Sequence, residues 1–115
     1  MSTKIYHNPR CSKSRQTLQL LEEKGIQADI IEYLKEAPSK AELASLLGLL
    51  NMEPRALIRK GEAIYKELNL KDDTLSNEQL ISAMVEHPIL IERPIVLSNG
   101  KAAIGRPPEN VLDIL

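Results

Sequence analysis

The chain has 115 residues, 43% of them hydrophobic and 27% charged, with a formal net charge of −1. That length suits one domain with a real core. The near-neutral charge, and aromatic residues limited to Tyr6, Tyr33 and Tyr65, argue against a nucleic-acid binder, which needs a basic excess or stacking faces.

In chain order, Lys4-Ile5-Tyr6-His7 alternates and stops at Asn8-Pro9, which predicts a short first strand. Ser14 to Lys24 predicts a helix with Leu18 and Leu21 on one face and Gly25 as its cap. Residues 28–33 predict a second strand. A helical crossover of this kind joins parallel neighbours with right-handed connection.

The middle is expected to be helical. Ser39-Lys-Ala-Glu42 is a capping box opening a helix that Gly48 is expected to end. Asn51 and Pro54 suit the start of a helix running through Arg55 to Lys60, and a short one is expected over Glu62 to Leu68. A second capping box, Ser76-Asn-Glu-Gln79, opens a helix through Glu86 that His87-Pro88 terminates. Pro94 to Leu97 and Lys101 to Ile104 then flank Asn99-Gly100, a strong hairpin signal. Pro107-Pro108 suits the first turn of a terminal helix. The sum is βαβ, a helical insertion over about residues 39–87, then ββα, which predicts an α/β sandwich in one domain spanning 1–115.

Chemistry centres on His7-Asn8-Pro9-Arg10-Cys11-Ser12-Lys13-Ser14-Arg15, which holds the only cysteine. A single cysteine forms no internal disulfide and fits a reducing compartment. With no signal peptide visible after Met1, and no apolar run near the ~20 residues of a membrane helix, a cytoplasmic protein without membrane association is expected. Cys11 falls in the loop between the first strand and the first helix, the end of an open α/β sheet where active sites lie. Unpaired amides of the helix's first turn favour a thiolate there. Lys4, Arg10, Lys13 and Arg15 precede the first carboxylate, Glu22, so this end is cationic. Ser14 could donate a hydrogen bond to the sulfur, and His7 could add a positive charge or a hydrogen bond. Flanked by Arg10 and Ser12 in a polar loop, the thiol is expected to be accessible rather than buried.

Several chemistries are excluded. A phosphatase loop needs arginine where Thr17 stands, and a dithiol motif needs cysteine where Ser14 stands. Zinc lacks ligands, with one cysteine and only His7 and His87. No glycine-rich nucleotide loop is present. A monothiol among cations remains, suited to an anionic substrate such as a tetrahedral oxyanion.

The opening motif from His7 to Leu18 resembles that of the glutaredoxin-coupled arsenate reductase family, a branch of the thioredoxin-like fold. Arg55-Ala-Leu-Ile-Arg59, His87 to Val96, and Gly105-Arg106-Pro107 with Val111 to Leu115 resemble its later segments, in order along the whole chain. The resemblance implies Cys11 as nucleophile, Arg55, Arg93 and Arg106 as the cations around the oxyanion, and His7, Ser14 and Arg15 as the thiolate's surroundings. It implies that Pro94 is a cis-proline facing the cysteine loop. It further implies reduction of arsenate, with glutathione as co-substrate, glutaredoxin as partner, and neither a tightly bound cofactor nor a metal. The sequence departs from the family where Arg10 replaces a small residue before the cysteine and Ser12-Lys13 replaces Gly-Thr. Two other readings resemble the same fold: a glutathione-dependent reductase of another substrate, and an Spx-like regulator that binds RNA polymerase.

Overall fold

The computed structural model describes residues 3–115, which divide into two compact units, one built from the chain up to Glu36 and from Arg93 onward, the other from Ala37–Glu92.

The first unit holds a four-stranded mixed sheet. Its strands are β1 (Thr3–Tyr6), β2 (Ala28–Ile31), β3 (Ile95–Ser98) and β4 (Lys101–Ile104), in spatial order β2-β1-β3-β4. Helix α1 (Ser12–Glu23) crosses over between β1 and β2, which are parallel with Ile5 opposite Ile30. Both other pairings are antiparallel, with Tyr6 opposite Ile95 and Ile95 opposite Ile104. Ile5 and Tyr6 point to opposite faces, and both are buried, so the central strand is covered on both sides. One face packs Ile5 and Val96 against Leu21 of α1 and against Val111 and Ile114 of the terminal segment. This is the βαβ–ββα order expected from the sequence.

Local signals explain most of these elements. Asn99 and Gly100 both take positive φ, the mirror-image turn that matches strand twist, and Asn99 Nδ2 also donates to the Ile114 carbonyl. Gly25 takes a φ of 74° just past the end of α1. Three expectations shift. Helix α1 begins at Ser12 rather than Ser14, because Cys11 itself is the N-cap residue in extended conformation. Strand β2 stops at Ile31, although Tyr33 beyond it is buried. The terminal segment Pro108–Ile114 is a 3-10 helix, not an α-helix.

The second unit is helical: α2 (Lys40–Leu50), α3 (Pro54–Leu57), α4 (Ala63–Glu67), α5 (Asn77–Glu86) and a 3-10 turn at Pro88–Leu90. Both capping boxes form, Ser39 with Glu42 and Ser76 with Gln79. Each such cap stabilises its helix by about 1 kcal/mol. Gly48 does not end α2; the helix runs on to Asn51, whose left-handed φ of 55° closes it. Helix α3 stops at Leu57 rather than Lys60, because Ile58 turns extended and bridges Ile91. No helix among the described residues is long and apolar enough to cross a membrane.

Candidate active site

Strand register decides which residues meet the cysteine loop. Because β1 runs antiparallel to β3, its carboxyl end lies beside the start of β3, and the end of β4 lies on the other side of that start. One step past the β3–β4 ladder, the Gly105 amide donates to the Pro94 carbonyl at 2.9 Å. A further step brings Arg106 to Arg93, with Arg106 Nε donating to the Arg93 carbonyl at 2.7 Å. The loop after β1, carrying Cys11, sits at the same edge, and Arg106 Nη2 lies 3.5 Å from its sulfur. Two arginines 13 residues apart thus converge on a thiol some 95 residues away from one of them. The Arg93–Pro94 bond is cis; so is Arg106–Pro107, which nothing in the sequence singled out. Gly105 has no room for a side chain, since a Cβ would press on Thr17 and on the Pro94 ring.

The cysteine loop is held by its own polar groups. The Asn8 carbonyl accepts from the Cys11 amide at 3.0 Å, and Asn8 Oδ1 accepts from the Arg10 amide at 3.0 Å. Ser14 Oγ accepts from the Asn8 amide at 3.1 Å and shares a 2.6 Å hydrogen bond with His7 Nδ1. Arg15 Nη1 donates to the Pro9 carbonyl at 2.9 Å. His7, Asn8 and Ser14 are all buried, a polar cluster in which each of these hydrogen bonds replaces one to water.

Cys11 is buried as well, at 8% exposure, contrary to the accessible thiol expected from its polar neighbours in sequence. The physical reason is that those neighbours fold around it, so polar flanks do not imply solvent contact. Burial is the largest single influence on the thiol and works against the anion, but the opposing groups together outweigh it. The Ser14 amide, the Arg93 guanidinium through a hydrogen bond and through its charge, and the Lys13 amide hold the thiol below its ordinary range. Lys13 and Ser14 are the second and third residues of α1, where amides lack helical partners, although the sulfur closes no strict capping bond with them. Alkylation by iodoacetamide, followed against pH, is therefore expected to show a midpoint below the ~8.5 of a free cysteine; a midpoint at or above that value would contradict an activated thiolate.

The three residues expected around the thiolate each act in a distinct way. Ser14 reaches the sulfur through its backbone amide, while its hydroxyl bonds His7 and Asn8. Arg15 clamps the Pro9 carbonyl. Burial, above all, lowers the pKa of His7 and so works against the positive charge considered for it, with Glu32 opposing and Arg15 assisting. A histidine whose folded pKa lies below its unfolded value near 6.5 takes up a proton more readily when unfolded. Stability is then complete above that value and declines as pH falls below it. Thermal melts at pH 7.5 and 5 are expected to differ less for His7→Gln than for the unmodified chain; equal differences would show that His7 does not carry this dependence.

Arg55 lies in the helical unit, where its guanidinium donates to the carbonyls of Leu70 at 2.8 Å and Asp72 at 2.9 Å. Arg59, four residues on, pairs with Glu62 at 3.2 Å and with Glu92, the residue before Arg93, at 3.0 Å. Arg55 lies in α3, whereas Arg59 lies past its end, after the extended Ile58.

A family model described as the ArsC family matches residues 6–114. The chain is 53% identical over 116 aligned residues to the arsenate reductase of Haemophilus influenzae, covering all of both chains. It is 58% identical over 113 residues to the Escherichia coli protein YfgD, covering 97% of this chain and 95% of the relative. Among solved structures, the arsenate reductase from Vibrio cholerae is 58% identical and superposes with a TM-score of 0.97, covering 100% of this chain and 98% of that one. Sheet order, cysteine loop and full-length similarity agree, and the chain belongs to the ArsC family.

Proposed function

We propose that this protein is a monothiol arsenate reductase of the cytoplasm, using Cys11 as nucleophile and Arg55, Arg93 and Arg106 to bind the oxyanion. The observation that carries the reading is a thiol whose pKa the Arg93 guanidinium helps to lower and to which Arg106 Nη2 comes within 3.5 Å, in a chain with relatives named arsenate reductases. In the first step the Cys11 thiolate attacks arsenic(V); a sulfur–arsenic bond forms, an arsenic–oxygen bond breaks, and the oxygen leaves as water after protonation. The arginines offset the charge of the anion and of the oxygens as the bond forms. Attack by a glutathione thiolate on the Cys11 sulfur then forms a disulfide and breaks the sulfur–arsenic bond, whose electron pair stays on arsenic. Arsenic(V) becomes arsenic(III), and two thiols become one mixed disulfide. Ser14 stands where a resolving cysteine would, so the mixed disulfide needs an outside thiol, and glutaredoxin supplies it by exchange. No tightly bound cofactor or metal enters these steps. Arg55, whose guanidinium donates to the Leu70 and Asp72 carbonyls, is the third arginine that the family resemblance assigns to this oxyanion site.

The test is arsenite release from arsenate with glutathione and glutaredoxin. Turnover is expected, ceasing when glutathione is withheld. Absence of turnover overturns the arsenate reading; glutathione-dependent reduction of another substrate, or capture of RNA polymerase, would then favour the two other readings.

A further inference from the structure

Beside the cysteine loop lies a second feature that the oxyanion chemistry does not use. A cleft of about 220 Å³ opens between residues 7–10 and the stretch Glu32, Leu34 and Lys35 that follows β2. Its charged side chains are Arg10, Lys35 and Glu32, the last two 3.6 Å apart, and Leu34 adds an apolar wall that is 41% exposed. Arg10, on one wall of the cleft, directly precedes Cys11 in the chain.

A carboxylate among these cations makes the cleft a poor place for a second oxyanion, and a neutral thiol would use none of the three charges. A γ-glutamyl tripeptide thiol carries two carboxylates and one ammonium about a central cysteine. Two cations and one carboxylate answer that set group for group. Resting on the reading of Cys11 as a thiol resolved from outside, we infer that this cleft is the docking subsite for the tripeptide of glutathione, with Arg10 and Lys35 receiving its carboxylates and Glu32 its ammonium. Arg10 is then a specificity-determining residue for the thiol donor rather than an oxyanion ligand. The side chains involved are exposed or partly so, which sets the expected effect at the size of surface ion pairs.

The test avoids arsenate. Glutathione disulfide reacts with the Cys11 thiolate by exchange: a new sulfur–sulfur bond forms to Cys11, the old one breaks, and glutathione thiolate leaves, with no net oxidation. Bis(2-hydroxyethyl) disulfide undergoes the same exchange but carries no charge. The ratio of the two rate constants cancels any change in thiolate fraction. That ratio is expected to fall by about three- to fivefold in Arg10→Ala and in Lys35→Ala, the range of one exposed ion pair, and to be largely kept in Arg10→Lys. An unchanged ratio in either alanine variant overturns the subsite. Because neither reagent contains arsenic, failure to reduce arsenate leaves this result standing, and failure here leaves the arsenate reading untouched.

Discussion

Cys11→Ser is expected to abolish arsenite formation, lowering the rate by at least ~10³-fold, as removal of a covalent nucleophile does. The variant is informative because its fold should survive. Cys11 is the N-cap of α1, with the extended φ of −95° and ψ of 122° that capping requires, yet its side chain forms no capping hydrogen bond. Serine is among the preferred residues at such a position. The variant should therefore unfold at no lower temperature than the unmodified chain, while its hydroxyl, unlike the thiol, stays protonated throughout the working pH range. Arsenite release measured beside a thermal melt separates the two effects. Retained turnover would remove Cys11 from the mechanism, and a collapsed melting temperature would leave its loss explained by misfolding instead.

The second large effect is expected at Arg93. Its guanidinium lowers the Cys11 pKa both by a hydrogen bond and by its charge, and its carbonyl accepts from Arg106 Nε. Arg93→Ala removes the first contribution and leaves the second, since the carbonyl belongs to the backbone. Loss of one hydrogen bond to a charged partner reduces kcat/KM by about ten- to a hundredfold. The iodoacetamide midpoint should move upward in the same variant, because burial of the sulfur, which opposes the anion, is then less compensated. Arg93→Lys keeps the charge without the planar fork, so it should restore much of the alkylation midpoint but less of the affinity for a tetrahedral anion. Unchanged kinetics with an unchanged midpoint would make Arg93 a bystander. A shifted midpoint with unchanged KM would confine it to the thiolate and leave the oxyanion to Arg55 and Arg106.

These two variants probe a site that was only partly legible in advance. The helix-start position of Cys11 follows from a strand stopped by Pro9 and an apolar helical face after it, and the amides of Lys13 and Ser14 follow from that position. Arg93 and Arg106 each precede a proline at opposite ends of a hairpin, which was enough to expect them on one face. The distant partners of Arg55 and Arg59 were not legible, because the local sequence does not say which far groups each meets: Leu70 and Asp72 for one, Glu92 for the other. Gly48 looked like the end of α2 because glycine commonly closes helices, yet a glycine inside a helix is tolerable when neighbours such as Leu46 and Leu47 are buried, and Asn51 closed it instead.

By itself the sequence determined the features that depend on a few consecutive residues. The Asn99-Gly100 turn, the capping boxes at Ser39 and Ser76, the β1–α1–β2 unit and the candidacy of Cys11 all arise from backbone sterics and hydrogen bonds spanning three or four positions. Only the tertiary structure decided that Cys11 is buried, that burial lowers the His7 pKa, that the Ser14 hydroxyl turns to His7 while its amide serves the sulfur, and that Arg106 reaches a thiol 95 residues away. The physical reason is that burial and charge balance are set by what the sheet brings alongside, and β1, β3 and β4 place Cys11, Arg93 and Arg106 at one edge through a register no local stretch of chain contains.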